Sequence, residues 1–135
     1  MNHVAVIVAI VVHYALGAIW YGIWGQQWIV AAGLTAEQIK AVQSGGAATP
    51  YIISAVAHVV FGYGLAWLIR RLGENTAAGG AKIGALVAIC FVAAFQALNY
   101  GFQMKPLALW LIDAGYPLIG MIIMGAILGG WRKKA

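Results

Sequence analysis

Apolar residues fall into four long runs, at about residues 4–24, 50–70, 80–104 and 107–131, with polar connections between them. A helix rises ~1.5 Å per residue, so ~20 apolar residues cross the hydrocarbon core of a bilayer. Each run meets that length. Barrel strands would be shorter and would alternate in polarity, and no such segments occur. The pattern predicts an all-α membrane protein: one domain, built as a bundle of four transmembrane helices.

The connection after the first run carries its own signal. Thr35 as N-cap with Gln38 at N3 makes a capping box, and Leu34 with Ile39 makes the matching hydrophobic staple. Ser44-Gly45-Gly46 ends the segment. These residues predict a short interfacial helix between helices 1 and 2, with Ile39 and Val42 facing the membrane.

Composition agrees with the pattern. Of 135 residues, 64% are hydrophobic and only 8% charged, with a mean hydropathy of +0.89. A soluble domain carries about a quarter charged residues. The net charge of +5 does not point to nucleic acid, because the basic residues flank the apolar runs and suit lipid headgroups. With four spans, Arg70, Arg71, Lys82, Arg132, Lys133 and Lys134 share one side, and Lys40 and Lys105 the other. The positive-inside rule then puts both termini in the cytoplasm, with a cell's inner membrane as the expected location. Trp24, Trp28, Tyr51 and Trp110 would form an outer aromatic belt. The first run has no basic segment before it and is read as a span, not a cleaved signal. The single cysteine, Cys90, allows no internal disulfide.

Candidate chemistry centres on Asp113, the one carboxylate inside an apolar run; Glu37 and Glu74 fall in connections. A charge at membrane depth is costly and marks function by default. At ~100° per residue, each helix has one polar face. His13, Gly17, Trp20 and Trp24 share one; Ser54, His58 and Phe61 another; Gln96, Asn99 and Gln103 a third; Asp113, Tyr116 and Gly120 the fourth. Counted from the helix ends, Asp113, His58, Asn99 and Gln96 all lie roughly 9–13 Å below the outer surface, with His13 deeper. The expected object is an outward-facing polar cavity around Asp113, lined by His58, Asn99, Gln96, Tyr116, Trp20, Trp24 and His13. Pro117 removes an amide and frees a carbonyl near Asp113. A short internal similarity, Ala18-Ile-Trp-Tyr-Gly-Ile-Trp24 against Ala97-Leu-Asn-Tyr-Gly-Phe-Gln103, suggests two hairpins repeated in parallel.

Three stretches carry a resemblance. Gly17-Ala-Ile-Trp-Tyr21 with Trp24-Gly25 and Trp28, then Asp113-Ala-Gly-Tyr116, then Met124-Gly-Ala-Ile-Leu-Gly129 before Trp131, resemble the small bacterial membrane proteins called domain of unknown function 1761. The resemblance implies a four-span protein of bacterial type. It implies no activity and transfers no catalytic residue.

Three functional classes follow from the residues. An acid beneath aromatic side chains suits a small cationic or amphipathic ligand, or a proton, held by charge and cation–π contact. Alternatively, Gly125-x-x-x-Gly129 seats a partner helix, making the chain an assembly subunit or a homo-oligomer. Alternatively, His13 and His58, each followed by a glycine one turn later, hold a haem; apart from that alternative no cofactor is expected. No nucleophile–base pair, phosphate loop or carboxylate pair points to hydrolysis or phosphoryl transfer.

Overall fold

The computed structural model of the protein describes residues 1–131; Arg132, Lys133 and Lys134, three of the residues behind the expected orientation, lie outside the described residues. The order is α1 (His3–Ala32), α2 (Ala36–Gln43), α3 (Thr49–Arg71), α4 (Ala77–Phe102) and α5 (Leu107–Gly130). All but α2 are long and apolar enough to cross a membrane, so the chain is a multi-pass membrane protein. Large apolar side chains such as Val11, Ile23, Val60, Phe91 and Leu111 are exposed on these four helices, as lipid-facing surfaces require.

Helix α1 runs well beyond the expected end at Trp24. Gly25 alone does not stop it; the stop is Gly33, at φ 69°, whose amide reaches back to the carbonyls of Ile29 and Val30. Thirty residues span about 45 Å, so α1 tilts or projects past a core of ~30 Å. The following capping box forms as expected, with Thr35 Oγ1 accepting from the Gln38 amide and Gln38 Oε1 from the Thr35 amide. Ile39 is half-buried, but Val42 is exposed. Lys105 Nζ donates to the Ala32 carbonyl (3.4 Å), so the α1 end and the α4–α5 turn share one end of the bundle. At the other end, Gly73 (φ 71°) turns the chain. There Glu74 accepts from Thr76 Oγ1 and from the amides of Asn75 and Thr76, which hold its carboxyl below the usual carboxylate range.

Helix α5 is the hub, packing on α1, α3 and α4. Against α4 the backbones nearly touch. A Cβ on Gly80 would strike the Gly125 carbonyl, and one on Gly84 the Met121 carbonyl; Gly129 lies as closely on Thr76. Gly125 and Gly129 are buried in this seam. The expectation that they form an external assembly face is therefore corrected: α4 carries its own Gly-x-x-x-Gly pair and uses that face inside the chain. Beside the seam, Ala9, Leu65, Ile69 and Met124 form the apolar core.

Midway, α4 loosens into a π-helical turn at Ala88–Ala93. At ~100° per residue, an unbroken helix would place Tyr100 about 160° from Gly84. One extra residue in the π turn reduces this to about 60°. The turn thus lets one helix present glycines and then polar side chains to the same neighbour. Trp110 Nε1 of α5 donates to the Ala93 carbonyl at its end (2.9 Å).

Candidate functional site

Asp113 lies six residues into α5, about 9 Å along the axis. Its Oδ1 accepts from Tyr21 Oη (2.7 Å) and Trp28 Nε1 (2.9 Å), its Oδ2 from Tyr100 Oη (2.6 Å). All three donors are neutral aromatic side chains. No Lys, Arg or His contacts the carboxylate among the described residues. Asp113 itself is half-buried, as are its donors. The Tyr21 and Trp28 rings meet edge to face, 5.7 Å apart, beside the carboxylate.

The backbone under Asp113 is also polar. Pro117 cannot donate to the carbonyl four residues earlier, which is that of Asp113. Gln96 Nε2 approaches that carbonyl at 3.4 Å, and Trp20 Nε1 donates to the neighbouring Ile112 carbonyl at 3.0 Å. The freed carbonyl expected from Pro117 is thus present and engaged from α4. Gly115 gives the Trp20 ring room: a Cβ there would lie 2.7 Å from it. Gln96 Oε1 is left buried with no partner.

One turn further along α5, Tyr116 leads a second cluster. Its hydroxyl lies 2.7 Å from His13 Nδ1, 2.8 Å from the His13 carbonyl and 3.0 Å from His58 Nε2. His58 Nδ1 lies 2.7 Å from the Ser54 carbonyl. The two imidazoles stand 5.1 Å apart, edge to face.

The single polar layer expected from helix counting is therefore two tiers. Asp113, Gln96 and Trp20 belong to the first; His13, His58 and Tyr116 to the second. His13 is not isolated below the others, because the long Tyr116 side chain bridges to it. Trp24 is exposed and touches the first tier only through the Trp20 ring, 6.2 Å away. Asn99 is half-buried but takes no part in either set of hydrogen bonds. The haem reading fails on space. The notch at Gly17 is filled by the Tyr116 hydroxyl and the one at Gly62 by Ile10, so the glycines serve side chains. Among the described residues no group of three His, Cys, Asp or Glu could hold a metal ion.

Helix counting missed the three donors that hold Asp113. Tyr21 and Trp28 are seven residues apart, which puts them within ~20° on one face. The stronger signal was the internal similarity. Tyr21 and Tyr100 occupy the same place in the two matching stretches, and they hold the two oxygens of one carboxylate.

The first two stretches that carry the family resemblance also interlock: Gly17 receives Tyr116, Trp20 lies on Gly115, and Tyr21 and Trp28 bond to Asp113. The family model described as "Protein of unknown function (DUF1761)" matches residues 4–129, nearly the whole chain. The chain belongs to the DUF1761 family. The match takes in every residue of both tiers. No curated protein and no solved structure matches the chain significantly.

Proposed function

We propose that this DUF1761 protein binds a small cationic or amphipathic ligand at Asp113, with a proton taking its place when the ligand is absent. The observation that carries the reading is a carboxylate within a membrane-spanning helix whose donors among the described residues are all neutral. Tyr21, Trp28 and Tyr100 orient the anion and spread its charge, but they do not cancel it. Burying an uncompensated charge in hydrocarbon is costly, and a cation or a proton removes that cost. The aromatic rings beside the carboxylate add a surface that favours cations over neutral guests.

In this reading the donors keep Asp113 aimed while the ligand shares its remaining lone pairs. A carboxylate offers about four acceptor positions, and the three aromatic donors use three. The ligand enters from the end that carries α2 and Lys105, about two turns of α5 away. That end faces outward if the basic residues obey the positive-inside rule, with the Arg70 end in the cytoplasm. Passage across the membrane would require this site to open to the opposite side as well.

Trp28 makes the site its own reporter. Titration of tetraphenylphosphonium into the protein in lipid nanodiscs should change tryptophan emission in a saturable way. An emission change that is linear in probe, and the same in Asp113→Asn, would mean simple partitioning into lipid and would count against the proposal.

A further inference from the structure

The second tier invites a count of protons. Tyr116 has one hydroxyl hydrogen and faces three partners within 3.0 Å. The His13 carbonyl can only accept, so at 2.8 Å it takes that hydrogen. The two imidazole nitrogens must then donate to the Tyr116 oxygen: His13 Nδ1 at 2.7 Å and His58 Nε2 at 3.0 Å. At its other nitrogen, His58 faces the Ser54 carbonyl at 2.7 Å, and that oxygen too can only accept. That arrangement puts hydrogen on both ring nitrogens of His58.

A neutral His58 breaks the set. If Nδ1 keeps its hydrogen, Nε2 is bare. Tyr116 must then turn its hydrogen to Nε2 and leave two oxygens 2.8 Å apart, or leave Nε2 facing a lone pair at 3.0 Å. If Nδ1 is bare, a lone pair faces the Ser54 carbonyl at 2.7 Å, and the one donor within reach, Ser54 Oγ at 3.4 Å, is too far to offset that contact. Each arrangement sets two acceptors against each other beside two buried imidazoles, where an unmet polar contact is costly.

We infer that His13, Tyr116 and His58 form a second proton-binding site, in which His58 is held as an imidazolium bridging the Ser54 carbonyl and the Tyr116 oxygen. The surroundings suit a cation. From α1 come the neutral His13 and the Tyr14 ring, 5.3 Å from the imidazole; from α3 comes Phe61 at 6.3 Å. From α5, Asp113 stands one turn from Tyr116 with its carboxylate bonded to Tyr21, Trp28 and Tyr100 and to neither histidine. The cluster is built to fit: a Cβ on Gly17 would lie 2.7 Å from the Tyr116 hydroxyl, and one on Gly120 would meet His13 Nε2. His13 is 2% exposed, and its Nε2 has no partner. In this inventory it is the bare nitrogen of a neutral ring, a free acceptor beside the proton.

Nitrogen NMR of protein labelled at its three histidines, in nanodiscs at neutral pH, decides the point. His3→Gln and His58→Gln assign the signals. Two protonated ring nitrogens on His58, and one protonated with one bare on His13, are expected. A bare nitrogen on His58 in the folded parent protein overturns the inference. Tyr116→Phe removes only the shared oxygen and should cost His58 its second proton. If His58 stays doubly protonated in that variant, the bridge does not hold the proton and the inference fails. Should that variant not fold, the parent spectrum decides alone. The readout is on histidine nitrogens, so it is independent of whether Asp113 binds a cation.

Discussion

Along one stretch of α5, Gly125 and Gly129 lie on the backbone of α4 with no side chain between them. A few turns away, Asp113 and Tyr116 meet α1, α3 and α4 only through long polar side chains. Lipid explains both choices. It gives helices no hydrophobic reason to associate, so contact must come from close packing or from hydrogen bonds. The glycine seam uses the first and is indifferent to chemistry. The polar tiers use the second and hold a charge, which tight packing alone does not need. Helix α4 serves both because its π turn rotates one half against the other.

The largest effects should come from filling the seam. Gly84→Leu or Gly125→Ile forces backbones apart and should cost about 3 kcal/mol. Unfolding in mixed micelles measures it. Gly64→Ala, where an added Cβ meets nothing within 4 Å, should stabilise by about 0.5–1 kcal/mol through helix propensity. Equal effects at the two positions would erase the distinction between seam and surface. Gly129→Ile should likewise disrupt the fold, because a Cβ there already meets the Thr76 carbonyl.

Next come the polar tiers. Asp113→Leu leaves Tyr21, Trp28 and Tyr100 without their acceptor and should cost about 1–3 kcal/mol. Leucine suits lipid, but the donors around it do not. Asp113→Asn retains a carbonyl and should cost less. Tyr21→Phe and Tyr100→Phe should each cost about 1–2 kcal/mol, and similar amounts, because they hold opposite oxygens from matching positions. A large cost for one and none for the other would show that the repeat has no energetic counterpart.

The smallest effect is also the most specific. Pro117→Ala restores an amide to the Asp113 carbonyl and makes Gln96 redundant there. Gln96→Leu should therefore cost about 1 kcal/mol in the parent and nearly nothing on the Pro117→Ala background. Additive effects would mean that Gln96 does not answer the proline.

Much of this was legible in the chain. Run lengths give the four spans, and Thr35 with Gln38 gives the start of α2. Pro117 foretells a free carbonyl. The end of α1 was misread because Gly25 resembles a stop, whereas a helix stops where a residue such as Gly33 takes positive φ. The seam was misread because Gly125-x-x-x-Gly129 does not say which helix it receives, and Gly80 and Gly84 precede the π turn that aligns them. Among the donors to Asp113, Trp28 reads as an interface anchor, and Tyr21 and Tyr100 enter only through the internal similarity, which names no partner. Periodicity shows which face a side chain is on, but not how far it reaches. That reach separates Tyr116 from Asp113 and gives it to the histidines.

The account rests on Asp113 drawing a positive charge from outside the chain. Calorimetric titration of tetraphenylphosphonium into nanodisc-embedded protein tests this most directly, with parent and Asp113→Asn compared and the unfolding midpoint of each sample measured alongside. Saturable binding near one cation per chain, weakened at least about tenfold (~1.4 kcal/mol) in a folded Asp113→Asn, is the predicted result. Equal binding by both proteins, or no binding by the parent while Asp113→Asn loses stability, would make Asp113 a stitch between helices and contradict the account.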